Sequence, residues 1–201
     1  YVGTLANRVR LQDEYEVFLI VADYHALTRT IDKEHVAATV GNTRQLVMDY
    51  LAVGIDPEKT TIYVQSDVPS VTELHLLFSM LTTVPRLERV PTLKEIMDQE
   101  HIEQPSYGLL GYPVLQTADI LHVRANLVPV GKDQASHLEV AREIARRFNF
   151  LYGSEVFPEP DTLIGDVPTL VGTDNKAKMS KSLGNAIMLS DDETTVRQKV
   201  M

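Results

Sequence analysis

Continuous apolar runs mark the strands of this chain. Residues 17–22 read Val-Phe-Leu-Ile-Val-Ala, without the polar alternation of a half-exposed strand. Such a run is typical of a strand buried on both faces, as in a parallel sheet. Two shorter apolar runs, 61–64 and 127–130, predict a second and a third strand.

Apolar positions at helical spacing separate these strands. Asp32 is a suitable N-cap, Gly54 is a suitable stop, and Val36, Val40 and Val47 recur at helical spacing between them, so we predict a helix over 32–53. Residues 153–176 are rich in Pro, Gly and acidic residues, which predicts a linker or long loop. The pattern predicts further helices around 72–82, around 92–98, over 113–123 and over 133–149. Pro113 stands in the first turn of the helix predicted over 113–123. A capping box at 190–193 predicts a last helix from 194 onward.

Strands alternating with helices predict an α/β fold with a doubly wound parallel sheet. In such sheets ligands bind beyond the carboxyl ends of the strands. Polar residues stand at all three predicted strand ends, in segments 23–25, 65–67 and 131–134. We therefore expect a binding site where these three segments meet.

Composition narrows the class of protein. The 201 residues are 44% hydrophobic and 23% charged, as in an ordinary globular domain. No cysteine occurs, which excludes disulfides, zinc–thiolate sites, iron–sulfur clusters and a cysteine nucleophile, and fits a reducing cytoplasm. No apolar run reaches the roughly 18 residues of a membrane span. The net charge of −9 argues against a non-specific nucleic-acid binder, so an RNA contact is local or lies outside the chain.

The most specific motif is Lys-Met-Ser-Lys-Ser at 178–182, followed by Leu-Gly-Asn. Lys178 and Lys181 lie three residues apart and can reach a polyphosphate, neutralising charge that develops during nucleotidyl transfer. A solvated Lys/Ser loop is the alternative for an arbitrary stretch of this composition. Here all five letters match the loop of class I aminoacyl-tRNA synthetases, which favours the functional interpretation.

A second candidate lies in the helix predicted after Tyr112. Tyr112, Gln116 and Asp119 fall on one helical face, and Asp119 stands among apolar residues, where an acid is costly to bury without a partner. From spacing alone, Asp119 could instead face solvent or pair with His122.

A third candidate is Gly131, which precedes a predicted helix whose N-terminus could bind an anion; this pattern is weak by itself.

Taken together, these segments resemble the tryptophanyl-tRNA synthetases, which are class I aminoacyl-tRNA synthetases. The resemblance covers essentially the whole chain, including 20–28, 50–57 and 141–149. It implies a Rossmann-like catalytic domain that activates tryptophan with ATP and Mg²⁺ and loads it onto tRNA(Trp). It also implies a homodimer, for which the candidate surface is the apolar stretch 74–84. Tyrosyl-tRNA synthetases share the fold and the loop.

The resemblance implies a role for each candidate residue. Asp119 matches the acid that accepts the indole N–H group of tryptophan. Lys94 is a candidate for assisting pyrophosphate release. The remaining implied roles are: contacts to the amino acid from Tyr112, Gln116 and Gln134; a pocket wall from His25; an apolar ring contact from Val128; ribose and adenosine contacts from Gly131, Asp133 and Gln134; and the ATP-phosphate loop from Lys178, Met179, Ser180 and Lys181, with Lys178 and Lys181 as catalytic groups. No metal-ligating set is predicted.

One family motif is absent. Class I synthetases carry a His-x-Gly-His type motif after their first strand, and in the family it precedes a stretch like Tyr1 to Leu5. We therefore expect a chain truncated at both ends, with little activity as it stands. We expect residues 1–175 to form a catalytic domain lacking its first strand, and 176–201 to form the lysine loop and the start of a helical anticodon-binding region. The alternatives are a tyrosine-activating relative or a non-catalytic nucleotide- or amino-acid-binding paralogue.

Overall fold

The computed structural model describes residues 4–99, 101–131, 135–164, 170–176, 179, 184–189 and 191–200. The elements in chain order are α1 (Thr4–Leu11), β1 (Val17–Val21), α2 (Asp23–Ala26), α3 (Lys33–Ala52), β2 (Thr60–Val64), a 3₁₀ turn (Gln65–Asp67), α4 (Pro69–Ser79), α5 (Val84–Leu87), α6 (Pro91–Gln99), α7 (Tyr107–His122), β3 (Leu127–Val130), α8 (Ala135–Tyr152), β4 (Asp161–Ile164) and α9 (Glu193–Val200).

The first half of the fold is a β–α–β unit. Strand β1 runs parallel to β2, with Val17 opposite Thr60 and Val21 opposite Val64, and α3 connects the two strands. Helix α3 begins where the sequence predicts, because the Asp32 side chain accepts the backbone N–H of His35 at 2.8 Å. It ends just before Gly54, whose φ of 101° is the left-handed conformation that glycine adopts without strain.

The second half contains a strand that the sequence pattern did not indicate. Residues 161–164, predicted as part of a linker, form β4 and pair in parallel with β3. Arg142 of α8 stabilises this strand, donating to the Pro160 carbonyl at 2.8 Å and to the Thr162 hydroxyl at 2.9 Å. The linker prediction was wrong here because contacts distant in sequence define the strand, while its four residues carry little pattern of their own.

Helix α7 starts earlier than predicted. Its N-cap is Ser106, whose hydroxyl accepts the N–H of Leu109 at 3.1 Å, so Pro113 lies inside the helix rather than in its first turn. An interior proline removes one helical hydrogen bond and costs roughly 3 kcal/mol. The buried face of the helix offsets this cost, because Leu109, Val114 and Leu121 are almost completely buried between α4 and α8.

Three helices, α4, α7 and α8, enclose the main hydrophobic core. Phe78 of α4 is fully buried and makes edge-to-face contacts with Phe148 and Phe157 at centroid distances of 6.1 and 5.4 Å. A smaller core, comprising Leu19, Val21, Tyr50 and Ile55, lies between the β1–β2 pair and α3. Among the described residues, we find no helix with the length and hydropathy of a membrane span.

The predicted α/β class with parallel strands is confirmed, but the single predicted sheet is observed as two parallel pairs. Strand β1 pairs with β2, β3 pairs with β4, and within the described ranges no ladder joins β1 to β3. The space between the two pairs forms a cavity that contains the candidate site.

The buried aromatic cluster predicts that loss of the Phe78 side chain lowers the free energy of unfolding far more than loss of the exposed Phe150 side chain. We expect Phe78→Ala to lower the free energy of unfolding by about 3–5 kcal/mol, because it opens a void in the core. Phe150 is 85% exposed, so Phe150→Ala should change stability by less than about 0.5 kcal/mol. Denaturant unfolding of both variants checks this, and equal losses would contradict the assignment of the core.

Candidate active site

A cavity of about 680 Å³ lies between the two strand pairs. Its walls are mostly apolar and come from β1, β3 and the C-terminal half of α7. Polar side chains that interrupt this lining include those of His25, Tyr63, Gln116 and Asp119. A largely apolar pocket with a few polar groups is the usual form of a small-molecule site.

The side chain of Gln65 links these polar residues. It follows β2 directly, is completely buried, and accepts the backbone N–H groups of Tyr24 and His25 through Oε1, at 3.1 and 3.3 Å. Its Nε2 donates to both carboxylate oxygens of Asp119, at 2.8 and 3.0 Å. One amide therefore connects the ends of β1 and β2 to helix α7.

A second hydrogen bond joins the two strand ends. The Asp23 carboxylate accepts the backbone N–H of Ser66 at 3.0 Å and that of Tyr24 at 3.0 Å. Two of the three polar segments predicted at strand ends thus meet beside the cavity, as expected for parallel strands.

Asp119 is buried, with 9% of its surface exposed, at the wall of the cavity. The alternative in which it faces solvent or pairs with His122 is wrong, because His122 Nε2 lies 2.9 Å from the hydroxyl of Ser70. Burial raises the pKa of Asp119 to about 7; the charge of Asp23 adds to this rise and the Gln65 hydrogen bond opposes it. The carboxyl group is therefore only partly ionised at neutral pH.

His25 completes the polar cluster. Its Nδ1 lies 3.1 Å from Gln65 Nε2 and 3.4 Å from Asp119 Oδ2. Burial lowers the pKa of the imidazole, which favours the neutral ring, while the hydrogen bond from Gln65 acts in the opposite direction. The Gln65 amide nitrogen can only donate, so Nδ1 is an acceptor and the ring proton resides on Nε2. His25 also lines the cavity.

The hydroxyl of Tyr112 lies in a second polar cluster. This hydroxyl lies 2.7 Å from His137 Nε2 and donates to Thr92 at 3.0 Å, and Tyr112 is not among the residues that line the cavity. Burial raises the pKa of this phenol. A contact between Tyr112 and a substrate stays a prediction.

The other candidates divide between the cavity and the chain segments that follow the strands. Gln116 and Val128 line the cavity, whereas Gly131 is exposed directly after β3. Lys94 lies in α6, outside the lining. Asp133, Gln134, Lys178, Ser180 and Lys181 lie outside the described residues.

The segments on both sides of the lysine motif contact each other. Asn185 is buried, donates to the Asp174 carboxylate at 3.0 Å, and accepts the N–H of Thr173 through its backbone carbonyl at 2.9 Å. Gly172 is required beside it, because a Cβ atom there would overlap the Asn185 amide. The backbone N–H of Met179 donates to the Leu170 carbonyl at 2.9 Å. These contacts hold the residues that flank the motif close together.

Sequence analysis did not identify Gln65 and Tyr63 as site residues. Gln65 had a detectable signal, because it stands in one of the polar segments predicted at a strand end. Tyr63 had none, since it belongs to the apolar run of β2. Burial, with a smaller effect from the Asp119 charge, raises the pKa of Tyr63 to about 12, so its hydroxyl is protonated and available as a donor.

Comparison with known proteins identifies the family. The family model described as tRNA synthetases class I (W and Y) matches residues 1–201. A tryptophan–tRNA ligase of Treponema pallidum is 58% identical over 200 residues, which is 100% of this chain and 59% of that protein. A tryptophan–tRNA ligase of Thermotoga maritima is 54% identical over 202 residues, covering 100% and 60%. The chain thus spans about three fifths of the length of these relatives.

Solved structures agree with this assignment. Tryptophanyl-tRNA synthetase from Campylobacter jejuni, complexed with ADP and tryptophan, superposes with a TM-score of 0.89 at 38% identity, covering 98% of this chain and 60% of that chain. Tyrosyl-tRNA synthetase from Archaeoglobus fulgidus, complexed with L-tyrosine, has a TM-score of 0.76 at 27% identity, covering 98% and 58%. The predicted Rossmann-like fold of the class I synthetases is confirmed.

Burial of Asp119 predicts a pH-dependent effect on stability. Its folded-state pKa of about 7 exceeds the ordinary value of 3.8, so folding disfavours the ionised form, and the stability present at low pH is lost as pH rises through 7. Asp119→Asn cannot ionise and should not lose this stability. As pH rises from 4 to 8, its free energy of unfolding should therefore increase relative to that of wild type by roughly 2–4 kcal/mol. Urea unfolding at both pH values checks this; a gain independent of pH would refute it.

Proposed function

The chain belongs to the class I tRNA synthetases (W and Y), and on this basis we propose that it is the catalytic part of a tryptophan–tRNA ligase. The observation that carries the choice of tryptophan is the buried carboxyl group of Asp119 at the wall of a mostly apolar cavity. An indole ring has a large apolar surface and a single N–H donor. Such a substrate satisfies the cavity and its acid at the same time, and the relatives described above are tryptophan–tRNA ligases.

The proposed reaction has two steps. The α-carboxylate of tryptophan attacks the α-phosphate of ATP, which forms tryptophanyl-adenylate and releases pyrophosphate. The aminoacyl group then moves to the terminal ribose of tRNA(Trp). Neither step needs a nucleophile from the protein, so the chain contributes by positioning the reactants and by stabilising charge.

We assign the nucleotide to the region beyond β3 and to the lysine motif. Gly131, Asp133 and Gln134 contact the ribose and the adenosine, and Met179 and Ser180 lie between the two lysines that we assign to the phosphates. Lys178 and Lys181 neutralise negative charge as pyrophosphate leaves. Mg²⁺ would arrive with the nucleotide phosphates, its usual mode of binding. Across the described residues, no cluster of three His, Asp or Glu side chains offers a site for a metal ion.

The amino-acid contacts follow from the cavity. His25 and Val128 form walls beside the indole ring, Asp119 accepts its N–H group, and Gln116 is directed to the same space. Tyr112 and Gln134 complete the proposed set around the ammonium group.

The remaining partners belong to the same proposal. Loading of tRNA serves translation, so we expect the protein to act in the cytoplasm. We expect a homodimer that buries the apolar surface at the end of α4 and in α5. Four large side chains there are about half exposed or more, namely Leu76, Leu77, Met80 and Val84.

Two alternatives have distinct consequences. A tyrosine-activating enzyme of the same family would also present a donor, the phenol hydroxyl, to the pocket. A non-catalytic nucleotide- or amino-acid-binding paralogue would bind its ligand without releasing pyrophosphate, and an intact lysine motif has little use in such a protein. Pyrophosphate exchange by the full-length protein separates these cases, and exchange that does not depend on tryptophan would exclude the proposed function.

Removal of the acid tests the choice of substrate. Full-length Asp119→Ala should lose at least about tenfold in kcat/KM for tryptophan, because a hydrogen bond to a charged group contributes roughly 1.5–3 kcal/mol. The preference for tryptophan over phenylalanine should fall by the same factor, since phenylalanine has no donor. Asp13→Ala is a suitable control, because that acid is exposed and paired with Lys59. Wild-type kcat/KM in Asp119→Ala would contradict the assignment.

Removal of a lysine tests the phosphate loop. Lys181→Ala should slow adenylate formation by roughly a hundred- to a thousandfold, the usual loss for one preorganised charge-stabilising group. The Kd for tryptophan should stay the same, because the lysine acts on phosphate in the transition state. Single-turnover kinetics and equilibrium binding provide the two measurements, with Lys59→Ala as an exposed control. An unchanged rate with a raised Kd would show that the loop was misassigned.

A further inference from the structure

Gln65 has more structural roles than a buried core residue requires. Its amide makes three kinds of contact to two other elements: the backbone N–H groups and the His25 ring of α2, and the carboxylate of Asp119 on α7. Gln65 is completely buried, and its hydrogen bonds to Asp119 are shielded from competing water.

The backbone determines how the Gln65 amide is oriented. The N–H groups of Tyr24 and His25 can only donate, so the atom that faces them must be the amide oxygen. The amide nitrogen then faces Asp119 and His25 Nδ1 and has no acceptable alternative orientation. A flipped amide would place a donor against two donors and an oxygen against a carboxylate.

The consequence for Asp119 is both geometric and electrostatic. Gln65 Nε2 lies within hydrogen-bonding distance of both carboxylate oxygens, which restricts rotation of the group about its Cβ–Cγ bond. A donor to the carboxylate favours the ionised form and partly offsets the effect of burial. Asp119 can therefore accept a hydrogen bond in the cavity in one defined direction.

We infer that Gln65 is a positioning residue that determines specificity: it holds the Asp119 carboxylate as an oriented acceptor for the side-chain donor of the substrate. Gln65 itself does not line the cavity and acts through Asp119. The same amide keeps His25 Nδ1 occupied as an acceptor, so the ring cannot turn Nδ1 toward the substrate. This inference rests on the proposed function for the identity of the substrate, but its effect on Asp119 can be measured without any substrate.

Several charged or titratable groups influence Asp119 from the surrounding elements. Asp23 raises the pKa of Asp119, and the neighbouring side chains of Tyr63 and His25 are uncharged at neutral pH. His75 on α4 lowers the pKa of His25, and burial lowers the pKa of His75 itself, so that its ring is neutral. Three further charged residues line the same cavity: Arg8, Glu16 and Arg124. None of these groups replaces the direct hydrogen bonds from Gln65.

The central experiment compares Gln65→Leu with a matched control in the full-length protein. Gln12 is also a buried glutamine with hydrogen bonds to distant backbone, donating to the Gly54 carbonyl at 2.9 Å and accepting the N–H of Asp56 at 2.8 Å. Gln12→Leu should lose stability without any change at the site. The first readout is the pKa of Asp119 in the substrate-free protein, measured by carboxyl ¹³C NMR with Asp119→Asn to assign the signal.

We expect Gln65→Leu to raise the pKa of Asp119 above the wild-type value, because a donor to the carboxylate is lost. The second readout is the Kd for tryptophan as a function of pH. In wild type, tryptophan binding should weaken tenfold per pH unit below the pKa of Asp119, since the ionised form is the acceptor. In Gln65→Leu, the pH below which tryptophan binding weakens should move upward together with the pKa of Asp119. The Kd for tryptophan at pH 7 should therefore rise at least tenfold and should fall partly back toward the wild-type value at pH 9.

The third readout is the preference for tryptophan over 1-methyltryptophan, which lacks the indole donor. Gln65→Leu should reduce this preference at least tenfold, whereas Gln12→Leu should leave it unchanged.

If Gln65→Leu does not fold, Gln65→Glu provides the same test, because a carboxylate oxygen can still accept the two backbone N–H groups. It should raise the pKa of Asp119 further through like-charge repulsion.

The outcomes separate the two ideas. A folded Gln65 variant with the wild-type Asp119 pKa, pH profile and preference overturns the inference, whatever the enzyme activates. A wild-type protein without preference for tryptophan overturns the proposed function, while the substrate-free titration of Asp119 still decides the role of Gln65. A shift in Gln12→Leu equal to that in Gln65→Leu would show a general structural effect and would also overturn the inference.

Discussion

The hydrogen bonds between the buried amide of Gln65 and the carboxylate of Asp119 are the constraint on which the site depends. They join the end of β2 to α7, and the same amide binds the backbone that follows β1. The strand ends and the helix therefore cannot move apart without leaving buried polar groups unpaired, which costs roughly 1–3 kcal/mol for each neutral group and more for a charged one. Folding and site formation are thus one process in this region.

That constraint explains why an acid can stand in an apolar cavity. Desolvation raises the pKa of Asp119 to about 7, and without the Gln65 donor the carboxyl group would be still harder to ionise. The unliganded protein keeps a destabilising group that a matching substrate donor would satisfy. A site of this kind would discriminate against a ligand without the donor, because such a ligand leaves the acid unpaired.

The cavity and the lysine motif belong to different parts of the chain. Asp119 and Gln65 lie on elements anchored by the core between α4, α7 and α8. The residues assigned to ATP instead follow β3 or lie in the lysine motif, whose flanking segments are held together by Asn185 and Asp174. In the proposed function, the amino acid therefore binds among core elements, whereas the groups proposed to act on phosphate come from other segments of the chain.

The sequence by itself determined the features that depend on residues close together in the chain. The apolar run specified β1, Asp32 and Gly54 specified the limits of α3, and the Lys-Met-Ser-Lys-Ser motif, with the segments that resemble the family, indicated the class of enzyme. Tertiary structure alone decided the rest: β4 exists because β3 and Arg142 pair with it, and α7 extends back to Ser106 because its buried face outweighs the effect of Pro113. Gln65 became the centre of the site for the same reason. Its hydrogen-bond partners are 40 to 54 residues away in the chain, and no local pattern encodes contacts at that distance.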